Sequence, residues 1–169
     1  MCNVHLLCGI PASGKSTFAA KKAAEFAEAG RSIAIISRDV CRKALVGEDV
    51  DKTDYFSREN EVFENFISEI NNHISAGTEE IFIDATHISA PSREKVLSQL
   101  NVRPGSNLIL EVFPVALETA IERNNTRQGF AFVPLSAMRR MSAGWQAPTL
   151  EEVQKHNKFG FASVIIDFH

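Results

Sequence analysis

The run Gly9-Ile10-Pro11-Ala12-Ser13-Gly14-Lys15-Ser16-Thr17 sets two glycines, a lysine and a hydroxyl residue at the spacing of a loop that grips phosphates. In such a loop the backbone N–H groups point inward and the following helix offers its positive end, which makes a nest for a triphosphate. Lys15 would reach the outer phosphates, and the Ser16 hydroxyl would bind Mg²⁺. The flanks agree: apolar Val4 to Cys8 reads as a strand before the loop, and alanine-rich Phe18 to Ala29 as a helix after it. ATP or GTP is the expected ligand.

Three further groups have chemistry in their residue types. Asp84 closes the apolar run Glu80-Ile81-Phe82-Ile83, where a carboxylate holds Mg²⁺ directly or through water; capping a turn or helix is its other use. A second run, Ser32 to Ser37, leads into Arg38-Asp39-Val40-Cys41-Arg42, whose spacing puts Asp39 and Arg42 on one side of a first helical turn. A hydroxyl attacking a γ-phosphoryl group needs an acceptor for its proton, and a carboxylate at this rim suits the task. Asp39 is equally suited to cap the helix, and spacing alone leaves both roles open. Finally, Arg123 and Arg127 lie in Arg-Asn-Asn-Thr-Arg-Gln-Gly with Gly129 as a hinge. Arginines delivered from a mobile segment neutralise transition-state charge and exclude water, so Arg127 is the preferred contact, with Arg123 its neighbour on the same face.

These residues need a frame. Strands are expected at Val4 to Cys8, Ser32 to Ser37, Glu80 to Asp84, Asn107 to Phe113 and Ser163 to Phe168. Between them, Thr53 to Ala76 has Val62, Phe63, Phe66, Ile67, Ile70 and Ile74 at helical spacing, and Ser89-Ala90-Pro91 opens another helix. A helix from about Val115 to Asn125 and a Leu135–Met138–Met141–Trp145 stripe follow, and Thr149 to Glu152 reads as a capping box. Strands alternating with helices predict an α/β fold: an open five-stranded, mainly parallel sheet with helices on both faces. Ligands of such sheets sit at the carboxyl ends of the strands, where the glycine loop, Asp39 and Asp84 all fall.

At 169 residues and 44% hydrophobic content the chain suits one core, and a single domain over 1–169 is expected, with a helical lid at about 123–145. There is no charged leader and no long apolar run, so a cytoplasmic location without membrane contact is expected. Cys2, Cys8 and Cys41 have no paired spacing and read as reduced thiols. The formal net charge of −3 excludes a global positive field for duplex binding, so any nucleic-acid contact must be local.

The glycine loop, the Ser-Arg-Asp-Val-Cys-Arg segment, Asp84-Ala-Thr-His and Arg-Asn-Asn-Thr-Arg-Gln-Gly, followed by Val133-Pro134 and Met138-Arg139-Arg140-Met141, resemble in order and separation the phage-type polynucleotide 5′-kinases. They also resemble the wider group of small P-loop kinases that includes the zeta-toxin-like enzymes. The resemblance spans most of the chain. It implies a P-loop NTPase fold, ATP and Mg²⁺ as cofactors, and transfer of the γ-phosphoryl group to the 5′-hydroxyl end of DNA or RNA. By the same resemblance Asp39 is the general base, Arg42 contacts the acceptor's 3′-phosphate or holds its reacting end, and Arg127 engages the donor phosphates. Arg38, Thr86 and His87 then line the acceptor path. Val40 stands where phage members often carry a second acidic residue, and His87 where they carry Asn. His87 is open to substrate contact or to a structural hydrogen bond in its loop. Two other functions compete: a kinase of a small-molecule hydroxyl such as a nucleoside, sugar or antibiotic, which net acidity favours, and a nucleotide-dependent switch, which leaves Asp39 and the lid arginines without a purpose.

Overall fold

The structure, a computed structural model, describes residues 1–47 and 57–169. Strands β1 (Asn3–Cys8), β2 (Ile33–Ser37), β3 (Glu80–Asp84), β4 (Asn107–Val112) and β5 (Ser163–Phe168) form one parallel sheet in the order β2-β3-β1-β4-β5. Helices α1 (Lys15–Glu28), α2 (Arg38–Val46), α3 (Glu59–Ala76), α4 (Ala90–Leu97), α5 (Leu117–Asn125), α6 (Leu135–Ala143) and α7 (Leu150–His156) alternate with them. The chain leaves β1 toward the β2 edge and leaves β4 toward the β5 edge, and the crevice between such neighbours is where open α/β sheets bind ligands.

Successive residues of a strand face opposite sides, and each side of this sheet is filled differently. Val4, Leu6, Cys8, Ile36, Ile81, Ile83, Leu108 and Leu110 meet α3 and α4, which contribute Val62, Phe66, Ile67, Ile70, Ile74, Val96 and Leu97. At roughly 1.5–3 kcal/mol for each fully buried large apolar side chain, the α3 stripe holds that helix to the sheet. On the other side Leu7, Phe82 and Phe113 meet α1, through Phe18, Ala19 and Phe26, while Phe82 also stacks on His5 and Phe113 on His169. Helices therefore cover both faces, but unequally, and on the edge strand β5 Ile165 and Phe168 remain exposed.

The expected strands stand, with β2 beginning at Ile33 and β4 ending at Val112. The described part of the third helix begins at Glu59; the expected start at Thr53 to Phe56 lies outside the described residues. Ser89 caps α4 reciprocally with Ser92. At α7 the expected capping box is only half formed. Thr149 Oγ1 accepts from the Glu152 amide at 3.2 Å, but the Glu152 carboxylate is drawn to Arg93 and His156 instead of turning back. All three cysteines are free and buried, and burial pushes the Cys8 thiol up to about 12. No helix among the described residues is long and apolar enough to cross a membrane.

A charged track runs under α1. His5 Nδ1 donates to Glu111 Oε1 at 2.6 Å and Nε2 to Glu80 Oε2 at 2.7 Å, so the ring bridges β4 and β3 through β1 and needs protons on both nitrogens. Arg31 and Asn3 also pair with Glu80, and His169 Nε2 bonds Glu111 Oε2 at 2.6 Å. Burial works against the charged ring, but its bonds to Glu111 and Glu80 win and raise the His5 pKa above its usual 6.5. Burial likewise opposes the Glu111 carboxylate, and the bonds from His5 and His169 reverse it to below 4.5. The His5 contribution to stability is complete below pH 6.5 and lost as pH rises through the raised value. The Glu111 contribution is complete above pH 4.5 and lost as pH falls through its lowered value. Denaturant melts across pH are thus expected to show greatest stability between 4.5 and 6.5, and His5→Gln to flatten the alkaline limb. An alkaline limb unchanged in that variant would assign it to another group.

Candidate functional site

The glycine loop joins β1 to α1 in the strand–loop–helix context its spacing requires. Its backbone enters the left-handed region twice, at Ala12 (φ 62°) and Gly14 (φ 106°). Gly9 has a different constraint, close approach: a Cβ there would lie 2.6 Å from Ser13 Oγ and 3.0 Å from the Phe113 carbonyl oxygen. The Phe113 backbone belongs to the end of β4 and cannot yield as a side-chain tip would. Gly9→Ala is expected to cost about 1–3 kcal/mol and to weaken nucleotide binding, read by thermal melts and a nucleotide titration; wild-type values in both would show that the loop relaxes freely.

Lys15 folds back over this loop. Its Nζ donates to the carbonyl oxygens of Gly9 (2.9 Å) and Ile10 (2.8 Å) and to Ser13 Oγ (3.3 Å). Burial lowers its pKa to about 8; the Asp84 and Asp39 carboxylates oppose that change and the Arg127 charge adds to it. The cation therefore sits in a water-poor cradle that an anion would stabilise. Ser16, at the second position of α1, donates its hydroxyl to Asp84 Oδ2 at 2.7 Å. Burial raises the Asp84 pKa, against the Ser16 hydrogen bond and the Lys15 charge. A hydroxyl oxygen beside a half-buried carboxylate is the hard donor set that Mg²⁺ takes, and the cation would relieve the cost of desolvating the charge.

The charges of Asp39, in α2 after β2, and of Arg127, after α5, both act on Lys15 and on Asp84. Asp39 does not cap α2. Ser37 occupies the cap position, and Asp39 stands in the first turn with its side chain 74% exposed and its carboxylate on Arg42 Nη1. Arg123 Nη1 touches the Ala12 carbonyl at 3.4 Å, at the outer wall of the loop.

The acceptor-side residues are placed less simply. Arg42 is buried, and Glu59 at the start of α3 takes both its Nε and its Nη2 at 3.1 Å, while Nη1 goes to Asp39. Arg38 also pairs with Glu59 and stacks on Phe63. The expected contact of Arg42 with an acceptor phosphate is thus not made ready: its guanidinium faces carboxylates and braces Asp39. Thr86 acts through its backbone, its carbonyl accepting from the Gly9 amide at 2.9 Å. His87, at φ 41°, is buried and donates Nδ1 to the Leu7 carbonyl at 2.8 Å, and burial pushes its pKa down to about 4. It is a neutral strut tying the loop after β3 to β1, and its Nε2 is enclosed without a partner among the described residues.

Sequence reasoning missed Glu59, because nothing in a helix-start glutamate announces two arginines from another helix. It also missed Arg93, which is fully buried and holds Glu152 through Nε (2.6 Å) and Nη2 (2.7 Å), and the His87 and Gln146 carbonyls through Nη1.

Residues 4–148 match the family model AAA_33, described as an AAA domain. No curated protein matches the chain. Among solved structures it is similar to Chaetomium thermophilum Kti12 in complex with ADP-AlF3, at 14% identity and TM-score 0.66, covering 98% of this chain and 88% of that one. It is similar to a sugar kinase from Janibacter sp. HTCC2649, unliganded, at 17% identity and TM-score 0.56, covering 99% and 85%. It is also similar to a chain of the Pnkp1/Rnl/Hen1 RNA repair complex, at 21% identity and TM-score 0.63, covering 93% of this chain and 45% of that one. Identities this low establish a shared fold alone, and the family match is broader than the phage-type kinases.

Proposed function

The chain belongs to the AAA_33 family of AAA domains and has a P-loop kinase-like fold, and on that premise we propose that it is an ATP-dependent phosphotransferase acting on a hydroxyl acceptor. One observation carries the reading: the glycine loop brings Lys15, folded over the Gly9 and Ile10 carbonyls, beside the Ser16–Asp84 hydrogen bond, where the Asp39 and Arg127 charges also act. A switch protein has no use for an exposed carboxylate held by Arg42 whose charge is felt at Lys15 and Asp84. Residues 1–169 form a single kinase domain in this reading, with about 123–145 as its lid.

The loop residues Gly9 to Thr17 hold the ATP phosphates, Lys15 neutralises the outer ones, and Arg123 and Arg127 close over them. Ser16 and Asp84 would hold Mg²⁺, which would supply charge neutralisation for the phosphates. Asp39 takes the proton of the acceptor hydroxyl as its oxygen bonds to phosphorus and the bond to the leaving ADP breaks. Arg42, fixed by Glu59, keeps the Asp39 carboxylate turned toward that hydroxyl.

The first acceptor we propose is a polynucleotide 5′-hydroxyl end. The order of the motifs supports it, and one similar structure is an RNA repair complex. A small uncharged hydroxyl compound is the second reading, favoured by a specific observation: Glu59 engages both arginines that would otherwise receive a phosphate beside the reacting hydroxyl. Incubation with γ-labelled ATP and Mg²⁺ against 5′-hydroxyl oligonucleotides, nucleosides and sugars separates them. Label at oligonucleotide ends supports the first, and label only on small acceptors supports the second. Phosphate release indifferent to every acceptor would sink both.

Glu59→Gln provides a finer measure. Releasing Arg38 and Arg42 is expected to tighten oligonucleotide binding and to steepen its fall with salt by about one unit of log–log slope. An unchanged slope would show that the two arginines do not meet the acceptor.

A further inference from the structure

We propose that Asn124 is the positioning residue of the lid: its side chain ties the two ends of the 125–132 segment together and so fixes Arg127 over the donor phosphates. The proposal rests on the role of Arg127 given above. Asn124 lies at the penultimate position of α5, and only 3% of it is exposed. Its Nδ2 donates to the Val133 carbonyl at 2.8 Å, and its Oδ1 accepts from the Val133 amide at 3.0 Å. The amide thus imitates a backbone partner and makes with Val133 the paired bonds that neighbouring strands exchange.

The main chain of the same residue is also engaged, its carbonyl accepting from the Arg127 amide at 3.0 Å. One residue therefore holds both the start of the segment, at Arg127, and its return, at Val133. In between, the chain reverses through the short turn Gly129–Ala131, with Gly129 at φ 57°. Val133 packs in a cluster with Ile10 of the glycine loop, Ala120 and Met138. The tie thereby fastens the base of the lid to the loop that holds phosphate. Cutting it leaves a segment whose ends are joined by chain alone, and a catalytic arginine carried there samples many positions, few of them over a phosphate.

Asn124→Asp keeps the shape and the acceptor but cannot donate to the Val133 carbonyl, and Asn124→Ala removes both bonds. With the full chain, tryptic cleavage after Arg127 is expected to be at least about tenfold faster in each variant than in wild type, as a loop released from its tie becomes a cleavage site. At saturating ATP, phosphoryl transfer is expected to fall at least about tenfold in kcat, with KM for ATP moving by less than about threefold. Joining Asn124→Asp to Arg127→Ala is expected to lower kcat no further than Arg127→Ala alone, because the first acts through the second. Cleavage at the wild-type rate in both variants overturns the proposal. Losses that multiply in the double variant overturn it as well, by showing a purely structural effect. Wild-type protein that phosphorylates no hydroxyl overturns the phosphotransferase reading, and with it the positioning of Arg127. The cleavage rates need no turnover and still decide whether Asn124 holds the loop.

Discussion

Asp39→Asn is expected to lower phosphoryl transfer by about 10²–10⁴-fold while nucleotide binding holds or tightens slightly and the melting temperature stays at its wild-type value. The separation of these readouts follows from where the side chain is. Asp39 is not a cap and not part of the core; its side chain is 74% exposed, and its described partner is Arg42 Nη1. The oxygen of Asn still accepts from that guanidinium, so Arg42 remains satisfied and α2 keeps its place against α3. What is lost is a group able to take a proton. The negative charge that Asp39 adds near Lys15 and Asp84 is lost too, which favours rather than weakens the binding of an anionic nucleotide. A kcat retained within about threefold would return Asp39 to a structural role and remove the base from the proposed mechanism. Arg42→Met offers the contrast. Because Arg42 is buried between Glu59 and Asp39, that change strips partners from two carboxylates and lowers stability and turnover together.

How much of this was legible in the chain depended on sequence distance. The strands were readable because each is a short apolar run local to five or six residues, buried on both faces in β1 and β3 and more exposed in the edge strand β5. The glycine loop was readable for the same reason, its phosphate-binding shape being encoded in nine consecutive positions. The failures lie where a side chain had a local and a distant partner to choose between. Glu152 has the spacing to complete a cap with Thr149, yet its carboxylate goes to Arg93, because a fully buried guanidinium without a counter-charge costs more than one unpaired helix-end amide. Arg42 has the spacing to share one side of the turn with Asp39, as it does, but its second partner, Glu59, comes from another helix. His5 looked like one polar residue in an apolar strand; its partners Glu80 and Glu111 arrive only when β3 and β4 pair on either side of β1. Asn124 came closest to being visible, since asparagine near a helix end is there to bond backbone, but the carbonyl it would bond could not be named.

Arg93→Leu is expected to destabilise the protein by about 3–5 kcal/mol, the usual cost of removing one member of a buried ion pair. At about 2–4 °C per kcal/mol for a chain of this size, the melting temperature would fall by roughly 6–20 °C. The cost is mainly that of what remains. Glu152 keeps a carboxylate in a buried position, where burial alone pushes its pKa up. The Arg93 and His156 hydrogen bonds now reverse that and hold it at about 2. Without Arg93, His156 Nε2, at 3.0 Å, is the partner left to oppose that burial. Replacing Glu152 by Leu as well is therefore expected to recover part of the loss, since two apolar side chains pack where one stranded charge cannot. The same substitution should be felt at the nucleotide site. Arg93 Nη1 binds the His87 carbonyl, His87 is hydrogen-bonded to Leu7, and Thr86 in the same loop accepts from the amide of Gly9. Loosening the loop after β3 withdraws support from the first residue of the phosphate loop, so ATP affinity is expected to drop in Arg93→Leu. Because the double variant restores packing but not the bond to the His87 carbonyl, affinity should remain low there even as stability recovers. Recovery of both together would reduce Arg93 to a packing residue, and recovery of stability alone would identify it as the link between α7 and the site.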